Sequence, residues 1–148
     1  MKISLGADHA GFHLKELLKR KLTADGHQIT DHGSDSAQSC DYPVFAAAVG
    51  HDVAQGIADR GILVCGTGVG MSIAANKING IRAAVGASEE VVRLTREHND
   101  LNVLTLGARI VEAPAAEHLV DTFLQTEFLG GRHANRVAQI TGLENGEK

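Results

Sequence analysis

Residues 61–65 read Gly-Ile-Leu-Val-Cys, an apolar run with no polar alternation. A strand with one wet face alternates apolar and polar side chains. A strand without alternation is covered on both faces, as inner strands of parallel sheets are. The run stops at Gly66-Thr67-Gly68-Val69-Gly70, after which a small-residue helix is predicted over 72–77. The same rhythm repeats along the chain. Further strands are predicted over 3–7, 28–31, 81–85 and 103–106, with the second edge-like and residues 33–41 a polar loop. A helix from Asp8 carries Leu14, Leu17, Leu18 and Leu22 on one face and stops near Gly26. Pro43 opens a helix with Phe45, Val49 and Val53 at i+4 spacing. A helix over 89–98 places Val91, Leu94 and Thr95 together. Pro114 opens another, with Ala116, Leu119, Val120, Phe123 and Leu124 inward, and a last helix covers 134–143 after Gly130-Gly131. Five strands separated by helices predict an α/β fold, a parallel sheet covered on both faces with right-handed crossovers.

The chain has 148 residues, enough for one domain over 1–148 with a core that needs neither disulfides nor metals. No linker, repeat or low-complexity tract divides it. Cys40 and Cys65 are too few for a disulfide framework or a multi-Cys zinc site, and the eight His show no ligand spacing, so no metal site is expected. His13, His27, His32, His51 and His118 read as surface or structural. Net charge is −4 and the aromatics are Tyr42 and four Phe, with no Trp. That leaves neither the basic footprint nor the stacking platforms of a nucleic-acid binder, nor attraction to an anionic membrane. No apolar run reaches the roughly 18 residues of a membrane span. Met1-Lys2 leads straight into a strand, so no leader is expected and the reducing cytoplasm is the expected compartment.

In parallel sheets ligands bind beyond the carboxyl ends of the strands. That rule selects Asp8 and His9, residues 65–70, and residues 107–109. At Cys65 a buried strand ends in a thiol, and the glycines behind it let backbone amides approach a ligand. Free N–H groups at the start of the next helix favour a thiolate or an anionic oxygen there. A tight turn beside a small core Cys fits the same residues. No Gly-Lys-Ser/Thr follows, so the loop is not a P-loop. Asp8-His9 suits a sugar hydroxyl and an anion, or a helix N-cap with a surface His. His98-Asn99 offers an acid/base near neutral pH. Arg132 and Arg136, at i, i+4 beside His133, form either a phosphate clamp that Arg109 could join or a solvated helix end.

Eight segments together carry a family pattern: Asp8-His9-Ala10-Gly11, Asp41-Tyr42-Pro43, Cys65-Gly66-Thr67-Gly68-Val69-Gly70, Ala74-Ala75-Asn76-Lys77, Gly80-Ile81-Arg82-Ala83, Glu97-His98-Asn99-Asp100, Asn102-Val103-Leu104 and Gly130-Gly131-Arg132-His133. In this order they resemble the ribose-5-phosphate isomerase B family, whose wider group includes allose and galactose 6-phosphate isomerases. The resemblance runs from residue 3 to about 140.

The resemblance implies a Rossmann-like, three-layer α/β/α sandwich on a five-stranded parallel sheet. It implies an aldose–ketose isomerase of the pentose phosphate pathway with no metal or organic cofactor. Its partners would be a phosphorylated sugar and further copies of itself, as a homodimer or homotetramer with active sites at the dimer interface. The C-terminal helix, about 133–144, would reach a neighbouring subunit. By the same likeness Cys65 is the base that moves a proton between C1 and C2 through a cis-enediolate. His98 and Asp8 open the furanose ring. Gly66, Thr67, Gly68, Val69 and Gly70 supply amides to the enediolate, and Thr67 belongs with the catalytic set. His9, Arg109, Arg132 and Arg136 hold the phosphate, Asn99 a sugar hydroxyl, and Tyr42 walls the pocket. One branch of the family places a Glu base where this chain has Met71, so the chain resembles the thiol branch. Other phosphosugars remain open as substrates, and a non-catalytic phosphosugar-binding module is the alternative of a different class. The absence of C-x-x-C disfavours a thiol redox protein.

Overall fold

The computed structural model describes residues 1–147. Five strands form one parallel sheet: β1 Lys2–Ala7, β2 Gln28–Asp31, β3 Arg60–Cys65, β4 Ala83–Val85 and β5 Val103–Gly107. Their spatial order is β2-β1-β3-β5-β4. Six helices complete the chain: α1 Phe12–Ala24, α2 Tyr42–Ala54, α3 Val69–Ala75, α4 Glu89–Asn99, α5 Ala113–Gln125 and α6 Arg132–Glu144. Strand alternation sends Ile3, Leu5, Ile62, Val64, Leu104 and Leu106 to one core with α1, α4 and α5. Leu63, Cys65 and Val103 face the other core, with α2 and α3. This is the predicted three-layer α/β/α architecture. β1 neighbours β2 on one side and β3 on the other, so the chain reverses direction across the sheet between β1 and β3. Such a switch point opens a crevice above the strand ends, and here the flanking segments are Asp8 and the loop after Cys65.

Several element boundaries depart from the sequence reading. α1 begins at Phe12 rather than Asp8. The Asp8 amide still donates to the Val64 carbonyl (3.1 Å), and a turn closed by Gly11 N–H on the Asp8 carbonyl (3.1 Å) follows before the helix can start. Gly11 cannot be replaced there, because an added Cβ would sit 2.4 Å from the Val64 oxygen. α3 starts at Val69, three residues earlier than expected, and ends at Ala75. β4 starts at Ala83 rather than Ile81 because the Arg82 amide is taken by the Asn102 side chain (2.8 Å). On α4 the buried residues are Val92 and Arg96, whereas Val91 is exposed. The shift follows Arg96, whose guanidinium turns inward to the carbonyls of Thr126 (3.0 Å) and Leu101 (2.6 Å) and to Asp100 (2.9 Å). Apolar periodicity could not register a buried arginine.

A second buried cation fixes the sheet edge. Lys15 of α1 is 1% exposed, and its ammonium donates to both Asp31 oxygens (2.8 and 2.7 Å) and to Glu16 (2.9 Å). Burial works to raise the Asp31 carboxyl. Hydrogen bonds from Lys15, Lys19 and the Gly33 amide outweigh it and hold that carboxyl below its ordinary value. A carboxyl depressed in the folded state adds stability that is complete above its unfolded pKa of about 4 and is lost as pH falls through the folded one. Asp31→Asn leaves the buried Lys15 charge with Glu16 as its one remaining carboxylate, so unfolding in urea is expected to cost about 3 kcal/mol less at pH 7. The variant should also lose much of the wild type's acid-side decline in stability. Equal midpoints for variant and wild type would contradict this account of the edge.

Candidate active site

Cys65 ends β3 and is 4% exposed. Its Sγ accepts a hydrogen bond from the Gly68 amide (3.2 Å). That amide faces the sulfur because the loop doubles back, with Gly68 in the left-handed region at φ 82°. An L side chain strains this conformation, and a Cβ at Gly68 would also meet the Leu106 carbonyl carbon at 3.0 Å. The end of β5 presses on the loop from beneath. The buried Thr105 hydroxyl donates to the Gly68 carbonyl (2.8 Å), and a Cβ on Gly107 would lie 2.7 Å from Thr67 backbone. The Ala108 and Arg109 amides bond to the carbonyls of Cys65 (2.8 Å) and Gly66 (3.0 Å). The thiol therefore sits on a loop clamped between two strand ends.

Around it lies an open cleft of about 390 Å³. Asp8 lines one side and is buried; its Oδ1 accepts from the Gly11 amide (3.1 Å). Tyr42, at the start of α2, lays its ring over Gly70 so closely that a Cβ there would be 2.6 Å from its Cζ. The exposed Arg109 guanidinium rests beside Gly66. Cys65, Gly66, Thr67, Val69 and Gly70 also line this space. So does Ile73, which the sequence reading missed. With α3 starting at Val69, Ile73 falls one turn later on the same face, a relation invisible when the helix is begun at Ser72. His9, adjoining Asp8, accepts the Cys40 amide on Nδ1 (3.2 Å), which leaves Nε2 as the protonated nitrogen of the neutral ring.

His98, Asn99, Arg132 and Arg136 form a second group, on α4 and α6. None of the cleft-lining residues comes from either helix, so a single chain does not bring these four to Cys65. Arg109 keeps company with the glycine loop. His98 stacks on His133 of α6, ring centroids 4.2 Å apart and planes 10° from parallel. Loss of solvation, then the charges of His98, Arg132 and Arg136, hold the His133 imidazolium below its ordinary pKa. Arg136 borders a separate hollow with Gln139, Ile140 and Leu143 on an α6 face left exposed. Of the histidines read as surface or structural, His32 makes a short contact with Asp52 (2.6 Å), which also accepts from the buried Ser4 hydroxyl (2.8 Å). Among the described residues, no group of three or more His, Cys, Asp or Glu converges as metal ligands do, and no helix is long and apolar enough to cross a membrane.

A family model described as Ribose/Galactose Isomerase matches residues 3–140. The chain is 47% identical to ribose-5-phosphate isomerase B of Escherichia coli, over 97% of this chain and 96% of that one. A solved structure of ribose-5-phosphate isomerase B from Clostridium thermocellum superposes with a TM-score of 0.97 at 48% identity, covering 99% of both chains. The enzyme of that name from Mycoplasma genitalium, solved with bound ribulose 5-phosphate, superposes with a TM-score of 0.94 at 38% identity, covering 99% of this chain and 97% of that one.

The cleft geometry has a direct optical test, because Tyr42 is the sole tyrosine and there is no tryptophan. Gly70→Ala should push the ring outward and change tyrosine emission and anisotropy, at a stability cost of about 1 kcal/mol. An unaltered spectrum would mean that the ring does not rest on Gly70.

Proposed function

The chain belongs to the ribose/galactose isomerase family, and from that premise we propose that it interconverts ribose 5-phosphate and ribulose 5-phosphate, with Cys65 as the proton carrier. The observation that supports this most is the Cys65 sulfur, held by the Gly68 amide at the floor of a cleft lined with glycine backbone.

The reaction begins on a closed furanose. His98 and Asp8 move protons between the anomeric hydroxyl and the ring oxygen to free the aldehyde. Sγ of Cys65 then takes the C2 proton and returns it to C1, while the proton on O2 passes to O1. C1 is reduced as C2 is oxidised in the same molecule, so the chemistry needs no external redox partner. A C2 proton is weakly acidic, and charge building on the two oxygens must meet fixed donors. The backbone of residues 66–70, already clamped to β5, presents them, with the Gly68 amide at rest on the Cys65 sulfur (3.2 Å) and the Val69 amide on the Thr67 hydroxyl (3.3 Å) until substrate takes their place. Thr67 and Asn99 contact sugar hydroxyls, and Tyr42 closes the wall. His9, Arg109, Arg132 and Arg136 take the phosphate. Binding energy from that remote dianion orients the reacting carbons.

In one chain, Cys65 and the α4–α6 group are apart, so the proposal includes a second copy. A two-fold homodimer, alone or paired into a homotetramer, lays His98, Asn99, Arg132 and Arg136 of one subunit over the Cys65 cleft of the other. The exposed apolar side chains Ile140 and Leu143 of α6 and Ile73 at the cleft mouth support this, as surfaces suited to burial against a partner. The proposed compartment is the cytoplasm, where both free thiols stay reduced. The family's description names galactose beside ribose, and with allose 6-phosphate from the wider group that the chain resembles, galactose 6-phosphate is a competing substrate.

Steady-state kinetics on aldose phosphates of five and six carbons, without added metal and with chelator present, should give the highest kcat/KM for ribose 5-phosphate. A six-carbon preference would replace the substrate, and activity restored only by metal would overturn the cofactor-free chemistry. Cys65→Ala should lower kcat by about 1,000-fold or more while a phosphosugar inhibitor binds nearly as before; near-normal turnover would remove the thiol from the mechanism.

A further inference from the structure

His133 has no part in the chemistry set out above, yet its position is heavily determined. The turn that delivers it contains Gly130 and Gly131, at φ 64° and 56°, and is closed by the His133 amide on the Gly130 carbonyl (3.1 Å). The Leu129 amide bonds to the Glu97 carbonyl of α4 (3.1 Å), tying the segment before the turn to the residue next to His98. The buried Arg96 guanidinium joins the end of α4 to Thr126, at the start of the same segment. These ties leave the two imidazoles 4.2 Å apart and within 10° of parallel. From this stacking we infer that His133 is a positioning residue: its ring is a flat platform that fixes the plane of His98, so that His98 can reach the ring oxygen and anomeric hydroxyl of a closed sugar.

The chemistry explains why a platform is needed at His98. General acid–base transfer requires the nitrogen to lie within hydrogen-bond reach of the atom it serves, along its own ring plane. A side chain in the last turn of a helix has two free torsions and no neighbour on its outer side. A stacked ring removes that freedom without competing for either nitrogen. Loss of solvation, then the charges of His98, Arg132 and Arg136, disfavour a cation on the platform. The carboxylates that flank His98 in the chain are already engaged: Glu97 with Arg93 (2.9 Å), and Asp100, just past the end of α4, with Arg82 (3.0 Å) and Arg96 (2.9 Å). Neither draws His133 toward the charged form.

The inference rests on His98 as the ring-opening group, and it separates two half-reactions. Ribose 5-phosphate is mostly a closed ring. Ribulose 5-phosphate cannot close a furanose, because its O5 carries the phosphate. Enzyme in D2O should wash solvent deuterium into C1 of the ketose through the Cys65 step alone, with no ring to open. His133→Ala should slow turnover of ribose 5-phosphate by about tenfold, a fraction of what acid–base catalysis contributes, and leave deuterium entry within about threefold of wild type. His133→Phe keeps a flat ring and should restore most of the lost turnover. His98→Ala should show the same split, more severely. A normal rate for His133→Ala, an equal loss in both assays, or failure of Phe to rescue overturns the platform. A normal rate for His98→Ala removes the ring-opening role itself, and with it the inference; a slow His98→Ala beside a normal His133→Ala removes the platform only.

Discussion

A glycine loop can be pressed against the end of a strand only because it has no side chains to keep it away, and every proposed catalytic contact here depends on that close approach. Gly107 meets the opposing backbone at a distance that a Cβ would not tolerate, and Gly68 adds a tight approach to a left-handed backbone that strains an L side chain. The buried Thr105 hydroxyl then locks the loop from below. With the loop in place, the Gly68 amide has one orientation, toward the Cys65 sulfur. A donor that is already aimed costs nothing to reorganise, and the same clamped backbone carries the amides proposed to meet an enediolate. Placing the loop at the switch point between β1 and β3 also brings Asp8 beside it, since both strands end at the same level of the sheet.

The other proposed half of the site is held by different physics. A buried guanidinium, Arg96, ties the end of α4 to the segment that leads into α6. A helix carrying exposed Ile140 and Leu143 projects from that anchor. The cleft contains the thiol and the amides, and the α4–α6 group contains the imidazoles and two guanidinium groups. In the proposed reading neither half performs the isomerisation alone, so assembly and activity are coupled.

Much of this was legible in the chain before any coordinates. One unbroken apolar run at 61–65 and shorter, less regular segments elsewhere located all five strands, and the rule that ligands bind at strand ends picked out Asp8, Cys65 and Arg109. Residue chemistry and i, i+4 spacing had already marked His98-Asn99 and the Arg132–Arg136 pair as candidates, and the family likeness is what joined them to the Cys65 group. What was hidden has physical reasons. The start of α1 was misplaced because Asp8, a good capping residue, instead continues the backbone pairing with β3. The inward face of α4 was misassigned because its pivotal buried residue is an arginine. Ile73 escaped because it joins the cleft only when α3 begins at Val69. The His98–His133 stack joins residues 35 apart in sequence, on helices whose packing the pattern of either one does not reveal.

The central claim is that one working site needs the thiol of one subunit and the α4–α6 group of another. Subunit complementation tests it most directly. Cys65→Ser and Arg136→Ala variants, each made separately and assayed for turnover of ribose 5-phosphate, should be nearly inactive. Unfolded together and refolded as a mixture, they should form hybrid dimers in which one site has both parts intact, returning about a quarter of wild-type activity by statistical pairing of two-fold dimers. A mixture no more active than the average of its two components would contradict the shared site.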